Sequence, residues 1–290
     1  NRVVKDIAAT TRNYGPWREA LRWHRQTYLS GLGAVFRDEE RSERERQVAA
    51  ELLIDLFPDQ PQTLMEFLLD SARFQFPLMI TALEPNADMC LPLLRAELQD
   101  DLTTSLPTEP KNRDSRLFVQ REKDRAAVRQ ANALIALYEW GHSNEIWSFW
   151  RHPGTVERFA DPRVRGVLIS RFPEVATDAE TAMARLGAST DATETVAIIL
   201  AIGGIDVAKW PVGFREELDR RFQSDNDAGI HSAAEWALRK TTDGDHAVES
   251  LQQLLASEEP LKDRRWYITR THSHTLAVLP HSQSRVPLGV

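Results

Sequence analysis

The residues with the clearest capacity for metal chemistry lie near the end of the chain. His272 and His274 are two positions apart, so both side chains would face the same side of a strand, and His281 follows them. Histidines grouped in this way can bind a metal ion. We favour a polar hairpin turn as the interpretation of these residues, because no acid or cysteine at a suitable spacing completes the set of ligands. We therefore expect neither a bound metal nor a cofactor.

Nucleophilic catalysis has little support in the sequence. Cys90 is the single cysteine and has no flanking histidine at a catalytic spacing, which favours a buried, inert thiol. The sequence has no Gly-x-Ser-x-Gly turn, no phosphate-binding glycine loop and no kinase motif. His231 falls in the N-terminal turn of a predicted helix, where we interpret it as a packed or capping residue. We expect no catalytic residues and no enzymatic activity.

A group of aromatic residues suggests recognition of another protein. Trp147 and Trp150 are three positions apart, which makes them neighbours on one face of a helix, and Arg151 follows directly. Tryptophan and arginine are the residue types that most often anchor protein interfaces. Burial between neighbouring helices explains the same pattern, so both interpretations stay open. Together with Trp266 and Tyr267, these residues are the candidate protein contacts.

Composition limits the class of protein and of partner. The chain has 290 residues, and 36 basic against 43 acidic side chains give a formal net charge of −7, which disfavours nucleic acid as a partner. One cysteine excludes an intrachain disulfide, and no apolar run approaches the roughly 18 residues of a membrane span. The N-terminus does not resemble a signal peptide and lacks Met, which predicts a fragment of a longer cytoplasmic protein. The expected partner is a protein, or an adjacent domain of the same parent chain.

Helix-forming residues dominate the segments that must position these side chains. Ala, Leu, Arg, Glu and Gln fill long stretches between only 13 glycines and 15 prolines. Apolar residues at helical spacing predict one helix over residues 16–36 and others near 48–56, 61–68, 74–83 and 87–98. Residues 100–124 are rich in Thr, Ser and Pro, which predicts a long exposed loop.

Four acids mark a repeat in the second half of the chain. Asp124, Asp161, Asp191 and Asp227 each precede an apolar helical stripe and are separated by 37, 30 and 36 residues. Aspartate at this position accepts hydrogen bonds from the free amides of a helix N-terminus. The glycine pair at 203–204 follows one of these helices and is interpreted as its C-terminal cap. A period of about 30–40 residues with two helices per repeat predicts an all-α solenoid.

The end of the chain departs from this pattern. Residues 265–271 and 275–280 are rich in aromatic and β-branched residues and flank a polar turn, which predicts a β-hairpin. We expect the hairpin to pack on the helices, because its apolar side chains would otherwise form an exposed edge. The predicted organisation is helical repeats over 1–100, a loop or linker over 101–123, further repeats over 124–260 and the hairpin over 261–290.

Two sets of motifs resemble known families. Asp161-Pro162-Arg163-Val164-Arg165 and the run over 127–131 resemble the second helix of HEAT repeats, which implies a right-handed superhelix of helical pairs. Residues 227–240, followed by 264–267 and 275–278, resemble a junction in large bacterial multidomain proteins. In those proteins a serine/threonine kinase domain is followed by a HEAT-like helical region and then by a sulfatase-modifying (formylglycine-generating enzyme-like) domain. Residues 18–98 resemble the same helical region.

In that resemblance, residues 265–267 and 275–280 correspond to the opening strands of the sulfatase-modifying fold, and the catalytic cysteine pair of that fold has no counterpart here. The resemblance therefore implies a non-catalytic scaffold for protein–protein interaction or for docking neighbouring domains. The alternative is a structural part of a sulfatase-modifying enzyme, or of a lectin-like binding protein, whose main domain lies beyond residue 290.

Overall fold

The described part of the chain is almost wholly helical, as predicted. The computed structural model describes residues 2–99, 113–152, 162–175, 177–257, 259, 263–270 and 274–278. Within these ranges one small antiparallel sheet of two strands accompanies the helices. None of the helices formed by these residues combines the length and the apolar character needed to cross a membrane. The all-α class with a short hairpin is thus confirmed.

The chain forms two compact units, Asn1–Asp178 and Ala179–Val290, called here the N-terminal and C-terminal units. The N-terminal unit contains α1 (Arg2–Ala9), α2 (Tyr14–Arg22), α3 (Arg25–Arg37), α4 (Glu43–Leu56), α5 (Pro61–Leu69), α6 (Phe76–Leu83), α7 (Ala87–Glu97), α8 (Arg113–Glu139), α9 (Trp147–Trp150) and α10 (Arg163–Val175). The C-terminal unit contains α11 (Ala179–Ala188), α12 (Ala192–Gly204), α13 (Phe214–Ser224), α14 (Ala228–Leu238), α15 (Gly244–Leu255), β1 (Trp266–Ile268) and β2 (Thr275–Ala277).

Helices in the N-terminal unit pack as successive pairs. α3 packs on α4, α5 on α6 and α7 on α8, while α4 also packs on α6 and α5 also contacts α7 and α8. α1 and α2 cover α4, and α10 covers α8. Each helix therefore buries one stripe against its partner and another against the next pair, which is the packing logic of helical repeats.

The C-terminal unit follows the same logic. α11 packs on α12, α13 on α14 and α14 on α15, and α12 lies directly beside α14. In the hairpin, Trp266 pairs with Ala277, and Ile268 pairs with Thr275. β1 also contacts α15, so the first strand is attached to the helices of its own unit.

Several helix starts follow directly from local sequence. The Asp191 carboxylate accepts from the amides of Thr193 and Glu194, and Asp227 caps α14 in the same way, which confirms both predicted N-caps. Ser42 accepts from the amide of Glu45 at the start of α4. Prolines also open helices at positions where no backbone donor is needed, as Pro61 does in α5.

The predicted helix over residues 16–36 is wrong in one respect, because the chain breaks it at Trp23 and His24. α2 ends at Arg22 and α3 begins at Arg25, and both pack against α4. Arg25, the first residue of α3, stabilises the bend between α2 and α3, since its guanidinium donates to the Leu56 carbonyl at 2.8 Å. Two short helices joined by a bend can both contact α4, whereas one straight helix would extend away from it.

The segment before Asp124 also needs correction. Asp124 does not begin a helix but lies inside α8, where its carboxylate pairs with Arg163 at 2.7 Å. Residues 113–123 are therefore helical, while 100–112 and Asp161 lie outside the described residues. Because α7 and α8 pack together within the N-terminal unit, the predicted division at 101–123 is not where the compact units separate.

The glycine pair at 203–204 is not a cap outside the helix either. Both residues belong to α12, and the extended residue that ends the helix is Ile205. A Cβ at Gly203 would lie only 2.9 Å from the Cβ of Ala237 and 3.0 Å from Cζ3 of Trp236. Gly203 is therefore present because α14 approaches α12 closely.

Candidate functional site

An open cleft in the N-terminal unit is the candidate binding site. It has a volume of about 600 Å³ and is lined by side chains of α1, α2, α4 and α6. We call it the α4–α6 cleft. Its lining residues are Ile7, Tyr14, Arg44, Glu51, Ile54, Asp55, Pro77, Leu78, Thr81 and Ala82.

Helical spacing explains why these residues share one surface. Glu51 and Asp55 are four positions apart on α4, and Leu78 and Ala82 are four apart on α6, so each helix presents one continuous stripe. Ile54 lies between the two acids of α4 and, like Leu78 and Ala82, is half-buried. The cleft thus has an apolar floor between two helices that pack against each other.

Charged groups stand along the rim of the α4–α6 cleft. The Tyr14 hydroxyl donates to Oδ2 of Asp55 at 2.6 Å, and Arg18 lies 3.5 Å from the same carboxylate. Arg44 and Glu51 approach to 3.8 Å. Burial, followed by the hydrogen bond to Asp55, raises the pKa of Tyr14 well above its ordinary value, so the phenol remains a neutral donor. Each of the two acids of the rim is thus paired with an arginine, so the charges beside the apolar floor are balanced.

The predicted contact residues Trp147 and Trp150 are not on the surface. Trp150 is fully buried and Trp147 is 7% exposed. Their rings pack edge to face with centroids 5.3 Å apart, and Tyr138 and Phe172 complete the cluster at 5.1–5.9 Å. Burial between helices is therefore the correct interpretation of this pair, and a contact role for the two tryptophans is wrong. Arg151, beside them, is exposed.

The two predicted contact residues of the hairpin differ in their exposure. Trp266 is fully buried, which excludes it as an exposed contact, while Tyr267 is half-buried. Ile268 is also buried, so the predicted packing of the hairpin on the helices is confirmed for β1. β2 remains more open, with Leu276 42% exposed.

The most exposed aromatic residue of the described ranges was not among the predicted contact residues. Trp23, at the corner between α2 and α3, is 88% exposed. It lies off the apolar stripe of the predicted 16–36 helix, so its spacing could have signalled an outward-facing tryptophan. The cleft residues were missed as well, because their adjacency depends on how α4 and α6 pack and leaves no motif in the sequence.

Ionic contacts join the helices of the N-terminal unit. Asp70, at the end of α5, accepts from Arg37 at 2.5 Å and from Arg129 at 3.0 Å. Arg129 also reaches Glu97 at 2.8 Å, and Arg125 lies 3.2 Å from Asp70. Glu66 of α5 also lies 3.0 Å from Arg129, so three acids and three bases are matched within this network. It ties α3, α5, α7 and α8 together without leaving an uncompensated charge to act on a ligand.

The described part of the structure adds no support for a metal site at the histidines or for a reactive thiol at Cys90. His272 and His281 lie outside the described residues, and His274 is exposed. Across the ranges that the structure describes, no group of three or more His, Cys, Asp and Glu residues is arranged to hold a metal. Cys90 is buried, and burial raises the pKa of its thiol above the ordinary value. A thiol that stays protonated at neutral pH is a poor nucleophile.

Comparison with known proteins adds no family to this description. No family model matches the chain, and no curated protein or solved structure matches it significantly.

Proposed function

We propose that the chain is a non-catalytic helical-repeat scaffold, acting in the cytoplasm, that mediates protein–protein interaction or docks neighbouring domains of a larger multidomain protein. The observation that carries the proposal is the α4–α6 cleft. An apolar floor between two helices, bordered by charged groups, is the surface to which an amphipathic helix binds through residues at i, i+3, i+4 and i+7.

The chemistry of the cleft specifies the partner further. The floor of Ile54, Leu78 and Ala82 calls for aliphatic side chains on one face of the ligand. Glu51 and Asp55, both from α4, place two carboxylates along one rim. Both carboxylates are paired with arginines, Asp55 with Arg18 and Glu51 with Arg44. The ligand is therefore an amphipathic helix of a protein partner, which binds chiefly through its apolar face. The packing of successive helical pairs supports the same class of function, since stacked helical pairs provide extended surfaces for protein recognition.

A steric variant tests this proposal. Ala82→Trp fills the floor of the cleft without changing charge, and Val212→Trp is the matched control, because Val212 is 91% exposed in the C-terminal unit. The probe is a fluorescein-labelled synthetic Leu/Lys amphipathic helix, with a scrambled peptide of the same composition for comparison. Binding is measured by fluorescence anisotropy on the full chain.

We expect Ala82→Trp to weaken binding of the amphipathic peptide at least about tenfold, a loss of about 1.4 kcal/mol. Val212→Trp should bind like the unmodified chain, and the scrambled peptide should bind weakly to all three. Thermal unfolding of each variant verifies that the fold is intact. Equal affinity of Ala82→Trp and the unmodified chain, or no preference for the amphipathic over the scrambled peptide, contradicts the proposal.

A further inference from the structure

His231 occupies an unusual position between the helices of the C-terminal unit and the hairpin. Its ring is fully buried and lies between two aromatic rings, with centroids 4.4 Å from Phe222 of α13 and 3.6 Å from Trp266 of β1. The guanidinium of Arg264 covers Trp266 at 4.2 Å. Arg264, Trp266, His231 and Phe222 thus form one continuous stack, in which the imidazole joins the hairpin to α13.

The same residues satisfy the backbone at the end of α13. The last carbonyls of a helix lack partners within the helix. Here Phe222 accepts from Nδ1 of His231, and Gln223 accepts from the Arg264 side chain, both at 2.8 Å. Beyond the helix end, the Asp225 carbonyl accepts from Nε1 of Trp266 and the Asn226 carbonyl from the Arg265 amide, also at 2.8 Å. His231 of α14 and the segment that leads into the hairpin therefore cap the C-terminal end of α13 together.

The hydrogen bond to Phe222 fixes the tautomer of the neutral imidazole. A carbonyl oxygen only accepts, so Nδ1 of His231 must carry the hydrogen that it shares with Phe222. Nε2 is then the unprotonated nitrogen, and it is buried without a hydrogen-bond partner among the described residues. Adding a proton there would create a charged N–H in the core with no acceptor. It would also place a second cation on Trp266, whose outer face Arg264 already covers.

We propose that His231 is a pH-dependent switch for the hairpin: the neutral imidazole holds β1 on α13 and α14, and its protonation in mildly acidic solution releases the hairpin. Release exposes Trp266 and Ile268, which are both fully buried in the docked state. The switch is independent of the α4–α6 cleft, which lies in the other unit.

The charges around the ring are consistent with this switch. Burial lowers the pKa of His231 below 6.5, and the positive charge of Arg264 acts in the same direction. The Phe222 carbonyl, Glu235 on α14 and Asp225 after α13 oppose the effect, and burial prevails. Glu235 is itself bonded to Arg239 at 2.9 Å and Gln252 at 3.0 Å. The pKa of His231 is lower in the docked state than in the released state. Docking is therefore most stable above pH ~6.5, and it loses stability as the pH falls below that value.

Hydrogen exchange of the full chain tests the switch. Protection factors are compared at about pH 7.5 and pH 5 for the two amides whose hydrogen bonds join the hairpin to the rest of the unit, those of Ser257 and Arg265. Residues 197–202, in the buried part of α12, report on the rest of the unit. We expect hairpin protection to fall about tenfold at the lower pH while that of α12 changes little.

Two glutamine variants separate the switch from general acid effects. His231→Gln keeps a neutral side-chain donor toward Phe222 at all pH values, and its hairpin protection should not depend on pH. His246→Gln removes an exposed histidine of α15 and should respond to pH like the unmodified chain. A pH response in His231→Gln equal to that of the unmodified chain overturns the proposal, as does equal loss of protection in α12.

A measurement without substitution covers the case in which His231→Gln fails to dock its hairpin even at neutral pH. NMR of the unmodified chain follows the protonation of His231 and the exchange of the Arg265 amide in the same samples. Coincident midpoints support the switch. Protonation of His231 with the hairpin amides still protected overturns it.

Discussion

The side-chain nitrogen of Asn132 lies 2.8 Å from the carbonyl oxygen of Leu69, where α8 crosses the end of α5. The same nitrogen contacts the carbonyls of Leu68 and Ser71 at 3.2 and 3.1 Å, and Arg171 donates to Ser71 at 2.7 Å. Asn132 is fully buried. A side chain of α8 thus caps α5 from a distance of more than sixty residues along the chain.

Removal of this cap should destabilise the N-terminal unit. Asn132→Leu keeps the approximate volume but removes the side-chain donor to the Leu69 carbonyl. The Leu68 carbonyl keeps the Ser71 hydroxyl, and the Ser71 carbonyl keeps Arg171. We expect a loss of about 1–3 kcal/mol in the free energy of unfolding, the cost of one buried carbonyl without its partner. Asn144→Leu, the same substitution at an exposed position, should change stability little. Urea denaturation of both variants provides the comparison, and equal midpoints would contradict the capping role.

Asp70 should make the free energy of unfolding depend on pH in the acidic range. Burial raises the pKa of its carboxyl, but the hydrogen bonds from Arg37 and Arg129 outweigh burial, so the pKa lies below the ordinary 3.8. A carboxyl with a lowered pKa stabilises the fold above that ordinary value, and this stabilisation is lost as the pH falls below it. Asp70→Asn should lower the free energy of unfolding by about 2 kcal/mol at neutral pH. The loss is no larger because Arg129 keeps Glu97 as a partner.

The control for Asp70 is Asp59, which pairs with Arg25 at 2.6 Å on the surface. Asp59→Asn should leave the urea midpoint close to that of the unmodified chain, since exposed pairs contribute little. Denaturation at pH 7 and at about pH 3 should therefore show a smaller acid effect in Asp70→Asn than in Asp59→Asn. The opposite order would refute the assignment of acid sensitivity to Asp70.

Trp150 should behave as a core residue. Because its fully buried ring packs on Trp147 and Phe172, Trp150→Ala should lower the free energy of unfolding by about 3–5 kcal/mol. Trp23→Ala removes an indole that is 88% exposed and should alter stability by less than about 0.5 kcal/mol. Thermal and urea unfolding distinguish the two, and a mild effect at Trp150 would return it to the candidate contact residues.

Gly203 should not tolerate a methyl group. Gly203→Ala pushes the new Cβ against Ala237, and we expect a loss of about 1–3 kcal/mol from overpacking between α12 and α14. Gly187→Ala, in α11, meets no atom within 4 Å and should be neutral or stabilising by up to about 1 kcal/mol. Calorimetric melting temperatures of the two variants should therefore shift in opposite directions. An unchanged or raised melting temperature of Gly203→Ala would show that α14 can move away from Gly203 freely.

Sequence alone determined the features that depend on neighbouring residues. The helix-rich composition identified the all-α class, and Asp191 and Asp227 marked true helix starts because an N-cap bonds to amides two or three residues away. The hairpin was recognisable for the same reason, since two β-prone segments lie on either side of a short polar turn. None of these features requires knowledge of what the segment packs against.

The tertiary structure decided everything that depends on distant partners. Asp124 has the same local pattern as Asp191, yet α8 continues through it because packing on α10 extends the helix. The exposed or buried state of Trp150 could not be read from its spacing, because either face of a short helix can turn inward. The partners of His231 are nine and thirty-five residues away, in α13 and β1, so only folding creates the stack that makes its protonation costly.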